Sequence, residues 1–208
     1  MIKKNSLVLF QGDSITDCGR NREDDQHLGN GYPNMVAARF HALYSELNVR
    51  FVNKGISGNR TIDLVNRWKA DCIDLKPHIV SILIGVNDTW RRFDRNTPTS
   101  AETYRENYRR ILTDVKENLN AKIILLEPFL LPVSEEKKTI WREDLDPKIH
   151  MARELAREFD AAFIPLDGIF AAAAVKQPLQ FWAADGVHPT PAGHALIAHH
   201  WLNVAETL

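Results

Sequence analysis

The chain has 208 residues, with 26 Lys and Arg against 27 Asp and Glu and a formal net charge of −1 at pH 7. Apolar residues make up 44% and charged residues 25%, the balance of an ordinary globular protein. There is no basic surplus to attract nucleic acid, and no stretch approaches the roughly 20 apolar residues of a membrane span.

The first apolar run begins at Leu7 and stops at Gln11-Gly12-Asp13. It is too short for the core of a secretory signal, which needs about 7–15 apolar residues. A cytoplasmic protein with no membrane partner is expected, and a chain of this length suits one domain, 1–208.

Leu7–Phe10 reads as a first strand and Tyr32–Leu47 as a helix, with Pro33 tolerable in its first turn. Val49–Asn53 reads as a second strand. Thr61–Ile73 has helical spacing, with Ile62, Val65, Trp68 and Cys72 on its expected inner face. Ile79–Ile84 is β-branched and almost wholly apolar, as in a strand covered on both sides. A helix follows over Ala101–Asn118, with Thr99 and Glu102 fitting a capping box. Lys122–Leu126 is the fourth strand. Asp146-Pro147 reads as the start of a helix running to Phe159. Ala162–Pro165 is a short fifth strand, Ala171–Ala174 a helix-prone packing segment, and Thr190-Pro191 opens a last helix through Ala205.

The alternation predicts an α/β protein: a three-layer α/β/α sandwich around a five-stranded parallel sheet, in the flavodoxin-like strand order 2-1-3-4-5. Asp17–Asn30, Asp88–Ser100, Phe129–Asp146 and Val175–Val187 read as loops. The first three follow strand C-termini, the edge where such sheets bind ligands.

Four segments carry chemistry. Gly12-Asp13-Ser14-Ile15 sets a serine in the turn after the first strand. A serine hydroxyl there is held outward on a rigid support, and it becomes a nucleophile once a base removes its proton. Asp185-Gly186-Val187-His188 supplies that base, with an Asp three residues upstream able to fix the imidazole tautomer. Gly58, in the segment after the second strand, can present its N–H to a developing oxyanion, and the side-chain amide of Asn87 is a second donor. Each segment also has a plain structural reading as a turn or helix cap.

The order Gly-Asp-Ser, glycine, asparagine, Asp-x-x-His resembles the SGNH, or GDSL, hydrolase superfamily, with Ser14, Gly58, Asn87 and His188 at its four naming positions. Ile15 stands where leucine is often found. The resemblance implies a catalytic triad of Ser14, Asp185 and His188. It implies an oxyanion hole made of the Ser14 and Gly58 amides and Asn87.

The stretches Gly12–Arg20, Asn53–Asn59 and Ile84–Arg91 look like intracellular carbohydrate acetylesterases of the xylan and xylo-oligosaccharide type. That implies removal of acetyl groups from sugars through an acetyl-enzyme, with no metal or other cofactor and with homo-oligomers common. A short-chain acyl esterase, thioesterase or lysophospholipase of the same superfamily is the alternative.

Substrate contacts are expected from Asp13 and from Trp90 and Arg91, which follow Asn87, with Arg92 beside them. Trp182, three residues before Asp185, is a further expected contact. The eight histidines form no His-Glu-x-x-His motif or cysteine cluster, so no functional metal is expected. Cys18, four residues after Ser14, is a rival nucleophile with no basic neighbour in sequence. Asp13, Asp17, Asp185 and His188 are the residues a metal-dependent phosphoesterase would use.

Overall fold

The computed structural model describes residues 2–208. Five strands, β1 Leu7–Gly12, β2 Arg50–Asn53, β3 Ile79–Leu83, β4 Lys122–Leu126 and β5 Ala162–Ile164, form one sheet in the order β2-β1-β3-β4-β5. Every pairing is parallel, with Phe10 opposite both Asn53 and Ser81, and Gly12 opposite Leu83.

Successive side chains of a strand point to opposite faces, so each apolar strand feeds two cores. Val8, Phe10, Leu83, Ile124 and Leu126 enter one core, which holds Val36 and Phe40 of α2 (Tyr32–Leu43) and Ile197 and Trp201 of α9 (Pro191–Thr207). Leu9, Val80, Ile82, Ile123 and Leu125 enter the other. That core is covered by α3 (Thr61–Asp71), α5 (Ala101–Asn118) and the C-terminal half of α6 (Arg142–Glu158). Ser81 interrupts its apolar strand because its Oγ accepts the buried Trp201 indole N–H at 2.9 Å.

The remaining helices are α1 (Ser14–Asp17), α4 (Val86–Arg95), α7 (Leu166–Ala173) and α8 (Leu179–Trp182). The α/β/α layering and the strand order agree with the expectation from sequence. Several boundaries do not.

α6 begins at Arg142, after a π-helical turn at Lys137–Trp141, and Pro147 lies inside it. Asp146 is therefore not a cap. The earlier start is held by tertiary contacts. Arg142 donates two bonds to Asp167 at 2.6 and 2.9 Å, and Asp144 is bonded by Arg92, Thr89 and the buried Lys148. These outweigh the local preference of Pro for a first turn.

The segment read as the loop 88–100 is mostly α4. The cap of α5 is Ser100, which accepts Thr103 N–H, in place of Thr99. The buried face of α3 is Thr61, Leu64 and Trp68, continuing to Cys72, while Ile62 and Val65 are only half-buried. The helix expected to reach Leu47 ends at Leu43, followed by a short 3-10 turn at Ser45–Leu47.

Candidate active site

β1 lies between β2 and β3, so the segments leaving these three strands meet at one point of the sheet's C-terminal edge. Ser14 opens α1 immediately after β1. The turn is tight: a Cβ on Gly12 would stand 2.3 Å from Thr16 Oγ1 and 2.4 Å from the Leu83 carbonyl, so glycine is required. Asp13 caps α1 by accepting the Ile15 N–H at 3.0 Å.

The segment after β2 folds back on this turn. Ile56 N–H donates to Gly12 O, Asn53 Nδ2 to Thr16 O at 2.7 Å, and Arg20 Nε to Gly55 O at 2.8 Å. Asp17 Oδ2 accepts the Ser57 N–H at 2.9 Å, the Ser57 hydroxyl at 2.8 Å and Arg22 at 2.7 Å. Burial alone would raise the Asp17 pKa, but the bonds from Arg22 and Ser57 outweigh it and hold the carboxyl below its usual value. Gly58 follows in left-handed backbone at φ +85°, which a glycine adopts without strain.

Asn87 lies in the first turn of α4 and is buried. Its Nδ2 donates to Asn59 O and its Oδ1 accepts from Arg91, both at 3.1 Å. These two bonds fix which end of the amide is the donor, and the second N–H remains for another acceptor. Asp88, fully buried, accepts the Thr61 N–H at 3.0 Å and the Thr61 hydroxyl at 2.6 Å. It thereby ties the start of α4 to the start of α3.

Asp185 and His188 sit in a loop closed by a bridge between Ala183 and Pro189. Leu131 N–H donates to Gly186 O at 2.8 Å and fastens this loop to the segment after β4. Asp185 Oδ1 accepts the Val187 and His188 N–H groups at 2.9 and 2.8 Å, while Oδ2 is 2.7 Å from His188 Nδ1. A carboxylate there requires a proton on Nδ1. Nε2 is then the acceptor, 2.9 Å from Ser14 Oγ.

The hydrogen bond to Asp185 raises the His188 pKa above its usual 6.5, against the opposing effect of burial. Burial opposes ionisation of Asp185, but the bonds from His188 and Val187 prevail and hold its pKa far below the ordinary carboxylate range. Two buried carboxyls nearby behave otherwise. Burial lifts Asp13 to about 7, partly offset by the Ile15 N–H, and lifts Asp88 to about 6.

The structure brings Ser14, His188 and Asp185 into one hydrogen-bonded chain. Trp90 stands at its mouth, its ring 5.7 Å from that of His188. Arg91 is bound to Asn87 and also pairs with Asp94. Arg92 turns away to Asp144. Asp13, expected as a substrate contact, is 1% exposed, and its carboxyl accepts the Ile15 N–H at the start of α1. Trp182 is half-buried against the core, and its carbonyl accepts Thr190 N–H at the start of α9.

Trp141 and Lys137 lie in the segment that reads as the loop Phe129–Asp146 from sequence, which hides their role at the mouth. Trp141 packs on Trp90 with centroids 5.4 Å apart, and Lys137 Nζ lies 4.6 Å from the Trp141 ring centroid and 5.9 Å from that of Trp90. The i, i+4 spacing of Lys137 and Trp141 is the signal that marks one helical face.

Cys18 does have a basic neighbour across the fold: His194 Nε2 is 3.5 Å from its Sγ. The pairing has the wrong polarity for activation. His194 Nδ1 accepts the Tyr32 N–H at 3.1 Å, which leaves the proton on Nε2, facing the sulfur. Burial lowers His194 to about 4 and raises the Cys18 thiol. Among the described residues, no group of three or more His, Cys, Asp or Glu side chains is placed to hold a metal ion.

Comparison with known proteins places residues 10–196 in the GDSL-like Lipase/Acylhydrolase family. The chain is 37% identical to an acetylxylan esterase of Geobacillus stearothermophilus, over 97% of this chain and 94% of that protein. Among solved structures, a catalytic mutant of Axe2, an acetylxylan esterase from the same organism, superposes with a TM-score of 0.90 at 34% identity, covering 98% of this chain and 95% of that one. An α/β hydrolase enzyme from the metagenome of Lake Arreo, Spain, also gives 0.90, at 28% identity and with 99% and 97% covered.

Proposed function

We propose that this chain, which belongs to the GDSL-like lipase/acylhydrolase family and is a carboxylic-ester hydrolase, removes acetyl groups from acetylated sugars or xylo-oligosaccharides through an acetyl-enzyme on Ser14. The observation that carries the reading is the chain from Ser14 Oγ to His188 Nε2 at 2.9 Å and from His188 Nδ1 to Asp185 at 2.7 Å.

In this reading the Ser14 proton passes to His188 Nε2 as Oγ bonds to the acetyl carbon. Asp185 stabilises the resulting imidazolium and keeps its ring in register. The tetrahedral oxyanion is held by the Ser14 and Gly58 N–H groups and the free N–H of Asn87 Nδ2. Each such donor is worth about 2.7–4 kcal/mol in the transition state. The C–O bond to the sugar breaks and the sugar oxygen takes the proton from His188. Water, deprotonated by the same nitrogen, then attacks the acetyl carbon and releases acetate, restoring Ser14.

The sugar preference is supported by the likeness to acetylxylan esterases and by Trp90, whose indole at the mouth suits the C–H face of a sugar ring. The cavity adjoining Gly58 is lined by Ser57, Asn59, Arg60 and Arg91, a polar wall ill suited to a long alkyl chain. That favours a short acyl group over the lysophospholipase alternative.

The test is a nitrophenyl ester series from two to ten acyl carbons, followed by peracetylated xylose and xylobiose with product identification. Highest kcat/KM for acetyl, with acetate and deacetylated sugar as products, is expected. An optimum near eight carbons, or intact acetyl sugars at long times, would end the sugar reading.

A further inference from the structure

Beside the reacting centre, a cavity of about 370 Å³ opens at Gly58 and passes between the starts of α3 and the end of α4. Arg60, Arg91 and Arg95 stand in its wall against the single carboxylate of Asp63. Its Oδ2 accepts the Arg60 backbone N–H at 2.8 Å and meets the Arg60 guanidinium only at 3.5 Å. Arg91 is neutralised from outside the lining by Asp94, and its other arm holds Asn87. Arg95, one turn further along α4, is exposed. Three guanidiniums against the carboxylates of Asp63 and Asp94 leave a surplus of one positive charge at the cavity, on exposed Arg95, with Arg60 held only loosely by Asp63. Arg60 is also the N-cap of α3, so the helix dipole adds to the same sign.

The positive potential is local, since the whole chain carries a net charge of −1. Gly58 belongs both to this wall and to the proposed oxyanion cradle, so a substituent of a bound ester can enter the cavity while its carbonyl sits at Ser14.

We infer that this cavity is a subsite for a carboxylate carried by the ester substrate, with Arg60 and Arg95 as its cationic arms. Guanidinium groups suit the task because their paired N–H donors match the two oxygens of a carboxylate. The inference deepens the ester-hydrolase reading and rests on it for the position of the carbonyl. The carboxylate can belong to the sugar, as in a uronosyl unit beside the acetylated residue, or to the acyl group, as in a dicarboxylic hemiester.

Two substrate pairs separate these sources. One pairs acetylated xylobiose with an acetylated xylobiose bearing a uronosyl branch. The other pairs nitrophenyl acetate with the nitrophenyl hemiester of succinic acid. The readout is the ratio of kcat/KM, charged over neutral, in each pair. We expect a ratio above one in at least one pair, and its identity names the source. In that pair the ratio falls about tenfold in Arg95→Ala and further in Arg60→Ala with Arg95→Ala, and Arg95→Lys recovers part of it. Raising NaCl from 20 to 500 mM lowers the wild-type ratio, because partly exposed charges are screened.

Ratios at or below one in both pairs, or ratios unchanged in the arginine variants, overturn the subsite. Absence of turnover on both acetylated sugars instead strikes the sugar reading, and the nitrophenyl pair then decides the subsite alone.

Discussion

Replacing Asp17 tests the oxyanion role proposed for the Gly58 segment. One oxygen of this carboxylate carries both polar groups of Ser57, and Gly58 is the next residue. Asp17→Ala leaves the Ser57 N–H and hydroxyl without that acceptor. Hydrogen bonds to a charged group are worth about 1.5–3 kcal/mol each, so about 3 kcal/mol or more of local ordering is lost. The upper limit on the catalytic effect is loss of one donor, about 2.7–4 kcal/mol. A displaced but present Gly58 N–H gives less, so kcat should fall between about tenfold and about a hundredfold. KM for nitrophenyl acetate should change by less than about threefold, because a misplaced donor weakens the transition state more than the ground state.

Asp17→Asn retains an acceptor oxygen and should recover most of the lost kcat. Arg22→Ala removes the third, largely solvent-exposed partner of Asp17 and should leave kcat within about twofold. Steady-state kinetics on the three variants, with circular dichroism as a folding control, decide the matter. A folded Asp17→Ala enzyme with wild-type kcat, or one whose loss lies wholly in KM, would refute the reasoning.

The remaining predictions concern charge and the mouth. The acidic limb of kcat/KM against pH reports His188, which must be neutral to accept the Ser14 proton. Its pKa is raised above 6.5 by Asp185, so activity falls as pH drops through a midpoint above that value. In Asp185→Asn the limb moves to lower pH and the plateau drops by about a thousandfold or more; an unshifted limb would count against the pairing. Burial raises Asp13 from 3.8 to about 7, so its effect on stability has a definite sign. The folded state holds a proton that the unfolded chain gives up near pH 4, and stability from this group is lost as pH rises from about 4 to about 7. Urea titrations should show Asp13→Asn gaining on the wild type across that interval, and equal differences at pH 4 and pH 8 would contradict it. Trp90→Ala should raise KM for acetylated xylobiose about tenfold and for nitrophenyl acetate by less than about threefold; equal effects on both would remove the sugar-stacking role.

The sheet was legible because β3 and β4 are almost wholly β-branched or leucine, broken only by Ser81 and the leading Lys122, as in strands covered on both sides. The α5 span, Ala101–Asn118, was equally plain, although its cap is Ser100 in place of Thr99. The start of α6 was not, because Asp146-Pro147 carries a strong local helix-start signal. Among the contacts that override it, Arg142 with Asp167 and Arg92 with Asp144 join residues far apart in the chain, whose pairing no periodicity reveals. At the site, the four motif segments pointed to Ser14, Gly58, Asn87, Asp185 and His188. What they did not show is the layer behind: Asp17 under Ser57, Asp88 under Thr61, Arg91 on Asn87, and Trp141 behind Trp90. Apart from Arg91, one turn from Asn87 on α4, such residues act through geometry set by distant segments. Cys18 illustrates the same limit in reverse, since its basic neighbour is far along the chain and its unfavourable tautomer is set by a backbone N–H of Tyr32.

The most direct measurement is rapid-quench mass spectrometry of the enzyme turning over an activated acetyl ester, with peptide mapping. Ser14 as nucleophile predicts one acetyl group, on the peptide containing Ser14 and localised to that side chain. In Ser14→Ala it is absent and hydrolysis is lost, while the fold is kept. Acetyl on Cys18 or another side chain, or a Ser14→Ala protein that still turns over at near wild-type rate, would contradict it.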